Sequence, residues 1–393
     1  MKILYCAIDQ VVPGTTGGSV HVQAVAEGLA QLGHEVHVLT RRGAGGFPSG
    51  GRAQWHEMGP PLGSNRLRLA RAGRVAAMAH ALKPDVVIER YFNFGGEGMR
   101  AASRVGALAV LEVNAPIVDY PGSPKRLLDR LLIVEPMRRW RDWQCRAARL
   151  VVSPSRAILP DWLPPDRIVE LEWGADTDRF RPGAAGPVPP YERAPGDVVA
   201  VFAGAFRAWH GAIHLVEAMR RIEERGVTAL RAVLAGDGPE LPRIREAAHG
   251  LRRVACTGAI EHDAMPRFLA SADIGVAPFD VAAHAPLSIA FYWSPLKVFE
   301  YMASGLPVVA PDIEGIRRIV ADGREGALYD PADAGALAQT LERLQDAALR
   351  QRLGGAARER AVSEFSWAGH CRRLLDAIER ALDARRAGRV AAS

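Results

Sequence analysis

Two rhythms of apolar and polar residues alternate along this 393-residue chain. Short apolar runs of strand length are separated by stretches in which apolar residues recur at helical spacing. That succession predicts an α/β protein built on doubly wound parallel sheets. KILYCAI (2–8) reads as a buried strand. A loop VVPGTTGGS follows, then a helix over about 20–32 ended by Gly33, then the strand EVHVLT (35–40). This is a β-loop-α-β unit with a Gly-rich first turn. Further strands are expected at 85–89, 107–113, 150–153 and 167–173, with helices between them, one of them over 124–149. Residues 41–65 carry many Gly and Pro and read as a flexible excursion. The stretch RPGAAGPVPPYERAPG (181–196) reads as a linker. A second series starts after it, with strands at 197–204, 229–236, 253–258 and 273–278 and helices over about 211–225, 239–249 and 263–270. Past Pro331 the chain reads as mostly helical. The expected organisation is a first domain over 1–181, a linker over 182–196, a second domain over 197–366 and a terminal helix over 367–393.

The run SPLKVFEYMASGLPVVAP (294–311) carries the most chemistry. Pro295 suits a first helical position, Val298, Phe299, Tyr301 and Met302 make an apolar face, and Gly305 ends the helix before a short strand. Lys297 and Glu300 sit one turn apart inside this apolar element. A helix start at 295–297 with a nearby Lys is a phosphate site, and a carboxylate one turn on can accept hydrogen bonds from a ribose diol. A surface ion pair on a packed helix is the competing account.

Composition narrows the class. With 48% hydrophobic and 24% charged residues the chain is globular and long enough for two cores. No apolar stretch reaches the length of a membrane span, and the start MKILYCAID turns polar too soon for a secretory signal. Cys6, Cys145, Cys256 and Cys371 match no metal spacing, which favours a reducing cytoplasm. The net charge of +6 is uneven: residues 1–185 hold 24 Lys+Arg against 18 Asp+Glu, and the rest is balanced. A basic first half suits an anionic partner, whether phosphorylated acceptor, lipid diphosphate or membrane surface. Between Lys125 and Arg149 a basic stretch interleaved with Leu131, Leu132, Trp140 and Trp143 fits either a peripheral membrane contact at the inner face or Trp residues packed in the core.

The 294–311 run resembles the donor-binding signature of the retaining glycosyltransferases of family 4, and the resemblance extends over nearly the whole chain. It implies the GT-B fold, two Rossmann-like domains facing across a cleft, with a terminal helix that crosses back onto the first. The Gly-Gly loop at Gly17 and Gly18 is similar to the loop that faces the donor phosphates; it is not G-x-G-x-x-G, so no dinucleotide cofactor is expected. FAGAFRAWHG (202–211) is similar to the first strand and loop of the second domain. The family's phosphate-binding Arg and Lys positions hold Ala205 and His210 here, and Arg207 stands in for the Arg. With an unperturbed pKa near 6.5, His210 would be a weaker anchor at high pH.

LAGDGPE (234–240), with Gly236 and Gly238 and a helix starting at Pro239, resembles the strand-turn-helix at the nucleotide. CTGAI (256–260), with Gly258, resembles the base-reading loop. The first of the family's paired Glu residues falls at Tyr292 and the second is Glu300, leaving Ser294, Pro295, Leu296 and Lys297 to supply diphosphate and sugar contacts. In place of the family's His after the strand ending near 112 stand Glu112 and Asn114; Asn114 cannot act as a base, whereas Glu112 can. Glu89, Arg90 and Tyr91 end the preceding strand. Asp176-Thr177-Asp178 imitates a metal motif, but its context resembles the interdomain connection, so Asp176 and Phe180 are expected to be structural and no metal is predicted.

The function implied is transfer of a sugar from a nucleotide-diphosphate sugar, UDP being the commonest family choice, to a sugar, lipid-linked or small-molecule acceptor. The donor is expected on the second domain and the acceptor on the first, with retention of configuration, no cofactor and no nucleic-acid partner. Arg207, His210 and Lys297 would stabilise the leaving phosphate, and Glu300 would hold the ribose. Surface polysaccharide or glycolipid assembly is the expected pathway. A nucleotide-sugar epimerase or hydrolase on the same fold, and a catalytically degenerate donor-binding scaffold, stay open.

Overall fold

A computed structural model describes residues 1–186 and 190–391, with side chains up to 387. Residues 187–189, inside the expected linker, lie outside the described residues. In chain order the elements begin with β1 (Lys2–Val12), α1 (Gly17–Gln31), β2 (Glu35–Arg42), β3 (Gln54–Glu57), α2 (Ala72–Leu82), β4 (Val86–Arg90), α3 (Glu97–Val105) and β5 (Leu108–Glu112). Then come α4 (Pro124–Leu131), α5 (Pro136–Ala147), β6 (Leu150–Ser153), β7 (Ile168–Glu170), β8 (Val198–Ala203), α6 (Ala212–Glu224) and β9 (Leu230–Ala235). The series continues with α7 (Leu241–Ala248), β10 (Val254–Gly258), α8 (Met265–Ala270), β11 (Ile274–Val276), α9 (Leu296–Ala303) and β12 (Val308–Pro311). It ends with α10 (Glu314–Arg317), β13 (Gly326–Tyr329), α11 (Ala336–Arg343), α12 (Ala347–Ser363) and α13 (Trp367–Ala391).

The chain forms two compact units, one of Met1–Trp173 with Trp367–Ser393, the other Gly174–Ser366. The change of unit falls eight residues before the boundary expected at 181. Residues 174–181 group with the second unit because Arg358 donates to the carbonyls of Thr177 (3.0 Å) and Phe180 (2.8 Å), and Phe180 is buried. By these bounds the first unit carries 28 Lys+Arg against 19 Asp+Glu and the second 22 against 25. The basic excess is therefore larger and more localised than the halves of the sequence suggest.

Each unit holds one all-parallel sheet. The first has the order β3-β2-β1-β4-β5-β6-β7, the second β10-β9-β8-β11-β12-β13. Parallel strands covered on both faces need continuous apolar runs, and β4, β5, β6 and β8 are buried throughout. Both sheets reverse direction of growth at the first strand, between β1 and β4 and between β8 and β11. Ligands of doubly wound sheets bind outside the carboxyl ends of the strands at such a point.

Several expectations change. The single helix over 124–149 breaks into α4 and α5: Pro136 opens α5, and Glu135 before it takes a left-handed conformation (φ 45°). The excursion 41–65 contains β3, which pairs in parallel with β2 (His37 opposite Gln54). Four residues without alternation give no strand signal. The strand expected at 167–173 is only Ile168–Glu170, and β13 was not expected. Helix α7 starts at Leu241 with Pro242 in its first turn, so Pro239 belongs to the preceding turn.

Within the first unit α13 packs on α1 at Gly28. A methyl group there would lie 2.5 Å from Cys371 Sγ, which is buried beside the carbonyls of Ala24 and Val25. Gly28→Ala is expected to destabilise the protein in urea denaturation, although Ala gains about 1 kcal/mol of helix propensity. In a Cys371→Ala background the same change is expected to cost less, a coupling that a double-mutant cycle measures.

Candidate functional site

In the second unit the ends of β8, β9 and β10 are laced together. Gly204 N donates to Ala235 O (2.9 Å), Gly236 N to Gly258 O (2.8 Å) and Phe206 N to Asp237 O (2.8 Å). Gly204 (φ 143°) and Gly236 (φ 152°) occupy backbone space closed to other residues. A Cβ on Gly236 would sit 1.8 Å from Gly204 O, and one on Gly204 would sit 3.0 Å from Lys297 Nζ. A Cβ on Gly238 would sit 2.6 Å from Phe206 O. Thus Gly204, Gly236, Gly238 and Gly258 are brought to one edge with Lys297.

Helix α9 buries Val298, Phe299, Tyr301 and Met302. The phenol of Tyr301 accepts the N–H of Ala203 (2.8 Å), and Gly275 leaves room for its ring. This bond fixes α9 against the end of β8. One turn earlier, Lys297 is thereby set beneath Gly204. Its ammonium is fully enclosed and has no hydrogen-bond partner among the described residues. It lies 3.9 Å from the centroid of the Phe202 ring and 5.5 Å from that of Phe279. Burial lowers its pKa to about 7, against the pull of Glu300. Burial raises Glu300 to about 7, opposed by Lys297 and Arg179. A surface ion pair does not describe these two groups.

Pro295 is the N-cap of α9 rather than its first helical residue, and a proline has no N–H to offer. The helix start therefore presents the amides of Leu296 and Lys297. Val298 N is already bonded to Pro295 O (2.9 Å). Ser294 and Tyr292 are both buried.

His210 corrects its expected role. Its Nδ1–H donates to Ala205 O (2.6 Å). Burial first, then Lys297 and Arg207, push its pKa down to about 3, with the Ala205 bond opposing. The ring is neutral, its one hydrogen is committed, and Nε2 is an acceptor. It cannot donate to a diphosphate. Arg207 is exposed, its guanidinium 5.6 Å from the Trp209 ring. Around His210 stand Trp209, Phe279 and Trp293, at 6.1, 6.3 and 6.1 Å between ring centroids. The sequence reading missed this aromatic wall, although AFRAWHG and FYW signal it in retrospect.

The first unit concentrates charge at its own switch point. Arg68, fully buried, bonds Glu97 (2.6 Å) and Asp9 (3.0 Å) and lies 3.6 Å from Glu89. Glu89 caps α3, accepting the amides of Gly96 (2.6 Å) and Met99 (2.8 Å). Glu112 receives Tyr5 Oη (2.5 Å), Arg90 (2.9 Å) and the amide of Asn114, and Asn114 Oδ1 accepts Trp173 Nε1 (3.0 Å). Burial raises the pKa of Glu112, and Arg90 opposes it. Both residues are spent inside the fold, so neither is a free base or substrate contact as expected.

A histidine does reach Glu112, from α1: His21 Nδ1 is 3.3 Å from Oε1, its ring stacked on Trp173. Burial, then Arg90 and His370, hold it neutral. The cavity lined by His21, Glu112, Asn114, Trp173 and His370 measures about 10 Å³, room for a water and not a sugar. Gly17 and Gly18 are the first residues of α1, three positions earlier than expected, capped by Thr16. A Cβ on Gly18 would strike Gln10.

Asp176 Oδ1 accepts the amides of Asp178 and Arg179 (3.2 Å each), so its side chain shapes a turn. Among the described residues no group of three His, Cys, Asp or Glu could hold a metal ion.

The second of two parallel sheets thus ends in a laced glycine edge with a buried lysine at its switch point, an arrangement whose charge suits an anionic ligand. Residues 15–179 match the description "Glycosyltransferase Family 4" and residues 197–347 match "Glycosyl transferases group 1". The α-maltose-1-phosphate synthase of Mycobacterium tuberculosis is 27% identical over 402 residues, covering 92% of this chain and 94% of that protein. The sucrose-phosphate synthase structure from Thermosynechococcus elongatus superposes with TM-score 0.72 at 19% identity, covering 98% of this chain and 99% of its own. Anabaena HepE in complex with UDP and glucose gives 0.68 at 16% identity, covering 96% and 99%. The chain belongs to glycosyltransferase family 4 and is a glycosyltransferase of the GT-B fold.

A lysine that titrates near 7 when free and must be cationic to hold a phosphate takes up a proton on binding above that pH. Nucleoside-diphosphate affinity is therefore expected to be full below pH 7 and to fall above it, by at most tenfold per pH unit. Isothermal titration from pH 6 to 9 measures this. The difference between wild type and Lys297→Met should shrink as pH rises. Neutral His210 should add no step near 6.5.

Proposed function

We propose that the chain transfers a glycosyl group from a UDP-sugar, held on the second unit, to an acceptor on the basic first unit. We further propose that it does so with retention of anomeric configuration and in the assembly of a surface polysaccharide or glycolipid. The observation that carries the reading is the enclosed, unpartnered ammonium of Lys297 at the glycine edge of the strands. A buried cation without a partner is costly unless a ligand supplies the counter-charge. A diphosphate does so, and the close backbone at Gly204 lets it approach.

In the reaction the bond from the anomeric carbon to the β-phosphate oxygen breaks, and its electron pair stays on that oxygen. Lys297, the amides of Leu296 and Lys297, and exposed Arg207 stabilise the charge that develops there. The acceptor oxygen bonds to the anomeric carbon, and its proton passes to the departing phosphate. No protein base is needed for that route, which fits the full internal engagement of Glu112. Glu300 accepts from the ribose diol. His210, with Nε2 free as an acceptor, receives a hydroxyl of the donor sugar rather than touching phosphate. The UDP choice draws support from the complex of the similarly folded Anabaena protein.

Thermal shift against UDP, GDP, ADP and their sugars tests the reading. A uridine ligand at 100 times its dissociation constant is expected to add about 2.7 kcal/mol. The shift should be lost in Lys297→Ala and weakened in Glu300→Ala. A shift only with guanine or adenine nucleotides would replace the donor. Absence of any shift would leave a degenerate scaffold as the better account.

A further inference from the structure

Eleven large apolar side chains are exposed among the described residues, and six of them are consecutive or nearly so: Leu127, Leu128, Leu131, Leu132, Ile133 and Val134. They occupy the outer part of α4 and the turn into α5. Ile133 is 94% exposed and Leu131 71%. The helix is amphipathic in the inverted sense. Its one buried side chain is Asp129, whose two oxygens accept the amides of Met137 (2.8 Å) and Arg138 (2.9 Å) at the start of α5. Asp129 thus tethers α4 by a polar cap and leaves the leucines turned outward.

The tryptophans singled out from the sequence are not part of this surface. Trp140 donates to Gly95 O (2.9 Å), and Trp143 packs against Gly96. Lys125 also turns inward, toward Pro116 O (3.5 Å).

Charge decides what such a patch meets. Arg126, Arg130, Arg138 and Arg139 are exposed around it, with Glu135 the exposed acid, 3.5 Å from Arg138. The unit that carries the patch has the whole basic excess of the chain. Apolar side chains ringed by guanidinium groups fit an interface where hydrocarbon lies under an anionic layer. No helix of the described residues is long and apolar enough to cross a membrane, so the patch would lie in the surface of one.

We propose that the α4–α5 tip is a docking surface for an anionic lipid bilayer, with the six apolar side chains of Leu127, Leu128, Leu131, Leu132, Ile133 and Val134 inserted among the acyl chains and the four arginines at the headgroups. The inference goes beyond the transfer reaction and does not depend on its donor.

Sedimentation of the full chain with vesicles tests it. Binding is expected to vesicles of phosphatidylglycerol and phosphatidylcholine and not to phosphatidylcholine alone, and to weaken with salt. Leu131→Gln with Ile133→Gln should reduce the partition coefficient by roughly tenfold or more. Arg126→Gln and Arg130→Gln should each reduce it about fivefold, the equivalent of about 1 kcal/mol. All of these variants change exposed side chains, and each should keep the wild-type melting temperature. Failure to pellet with anionic vesicles at low salt would overturn the proposal. So would pelleting unaffected by the Leu131/Ile133 change, or light scattering that shows a dimer which that change dissolves. The last result would assign the patch to a second copy of the chain.

Discussion

The second unit depends on one hydrogen bond, from the N–H of Ala203 to the phenol of Tyr301. It is made where β8 has run past the end of its β11 neighbour and would otherwise leave a buried donor unsatisfied, at a cost of about 1–3 kcal/mol. By closing that bond, α9 is held at a fixed height against the sheet. The height determines where Lys297 falls, one turn earlier, under a glycine that must lack a side chain for the ammonium to fit. The lysine is then desolvated between Phe202 and Phe279 and loses most of its preference for the charged state. Packing, backbone conformation and electrostatics at this edge are a single arrangement. Altering Gly204, Tyr301 or Gly275 would act on the lysine without touching it.

The two units treat the same topological position in opposite ways. At the β8/β11 switch point the cation is left without a partner and the strand ends are bare glycine. At the β1/β4 switch point the buried cations are answered inside the protein. Arg68 and Arg90 are shared among Asp9, Glu89, Glu97 and Glu112, and Glu89 spends both its oxygens on the amides of α3. A buried charge with a full complement of partners is structural; one without is poised for a ligand. That contrast is the physical ground, independent of any likeness to known proteins, for proposing the anionic ligand on the second unit.

The alternation of the two rhythms made nearly all of both sheets legible in the sequence, because parallel strands buried on both faces must be written as continuous apolar runs. What it could not show were features that leave no rhythm. β3 is four mixed residues, and the α4–α5 break depends on one proline. The sequence also singled out Lys297 and Glu300 from their spacing within an apolar helix, with a surface ion pair left open, and the fold encloses the lysine ammonium at the glycine edge. Their environment was not legible. His210 reads as a loop histidine near its ordinary pKa, and only its burial, the nearby Lys297 and the Ala205 carbonyl that holds its Nδ1–H make it a neutral acceptor. Glu112 and Asn114 stand where a base could stand. Their partners Tyr5, Arg90, His21 and Trp173 arrive from four other segments of the chain, and pairwise contacts of that kind carry no local signature.

The same limit explains the tryptophans of the basic stretch. Composition alone leaves Trp140 and Trp143 as either interfacial or core residues. The fold uses them to cover Gly95 and Gly96 beside the Glu89 cap, so their indoles support the buried charge cluster. The residues that remain outside are the leucines of α4, which a core would ordinarily claim. They cannot turn inward, because Asp129 occupies the inward face and two amides of α5 hold it there. Exchanging the faces would bury hydrocarbon but would expose the start of α5 uncapped. The inverted helix is thus held by its cap, and its apolar surface follows from that polar contact.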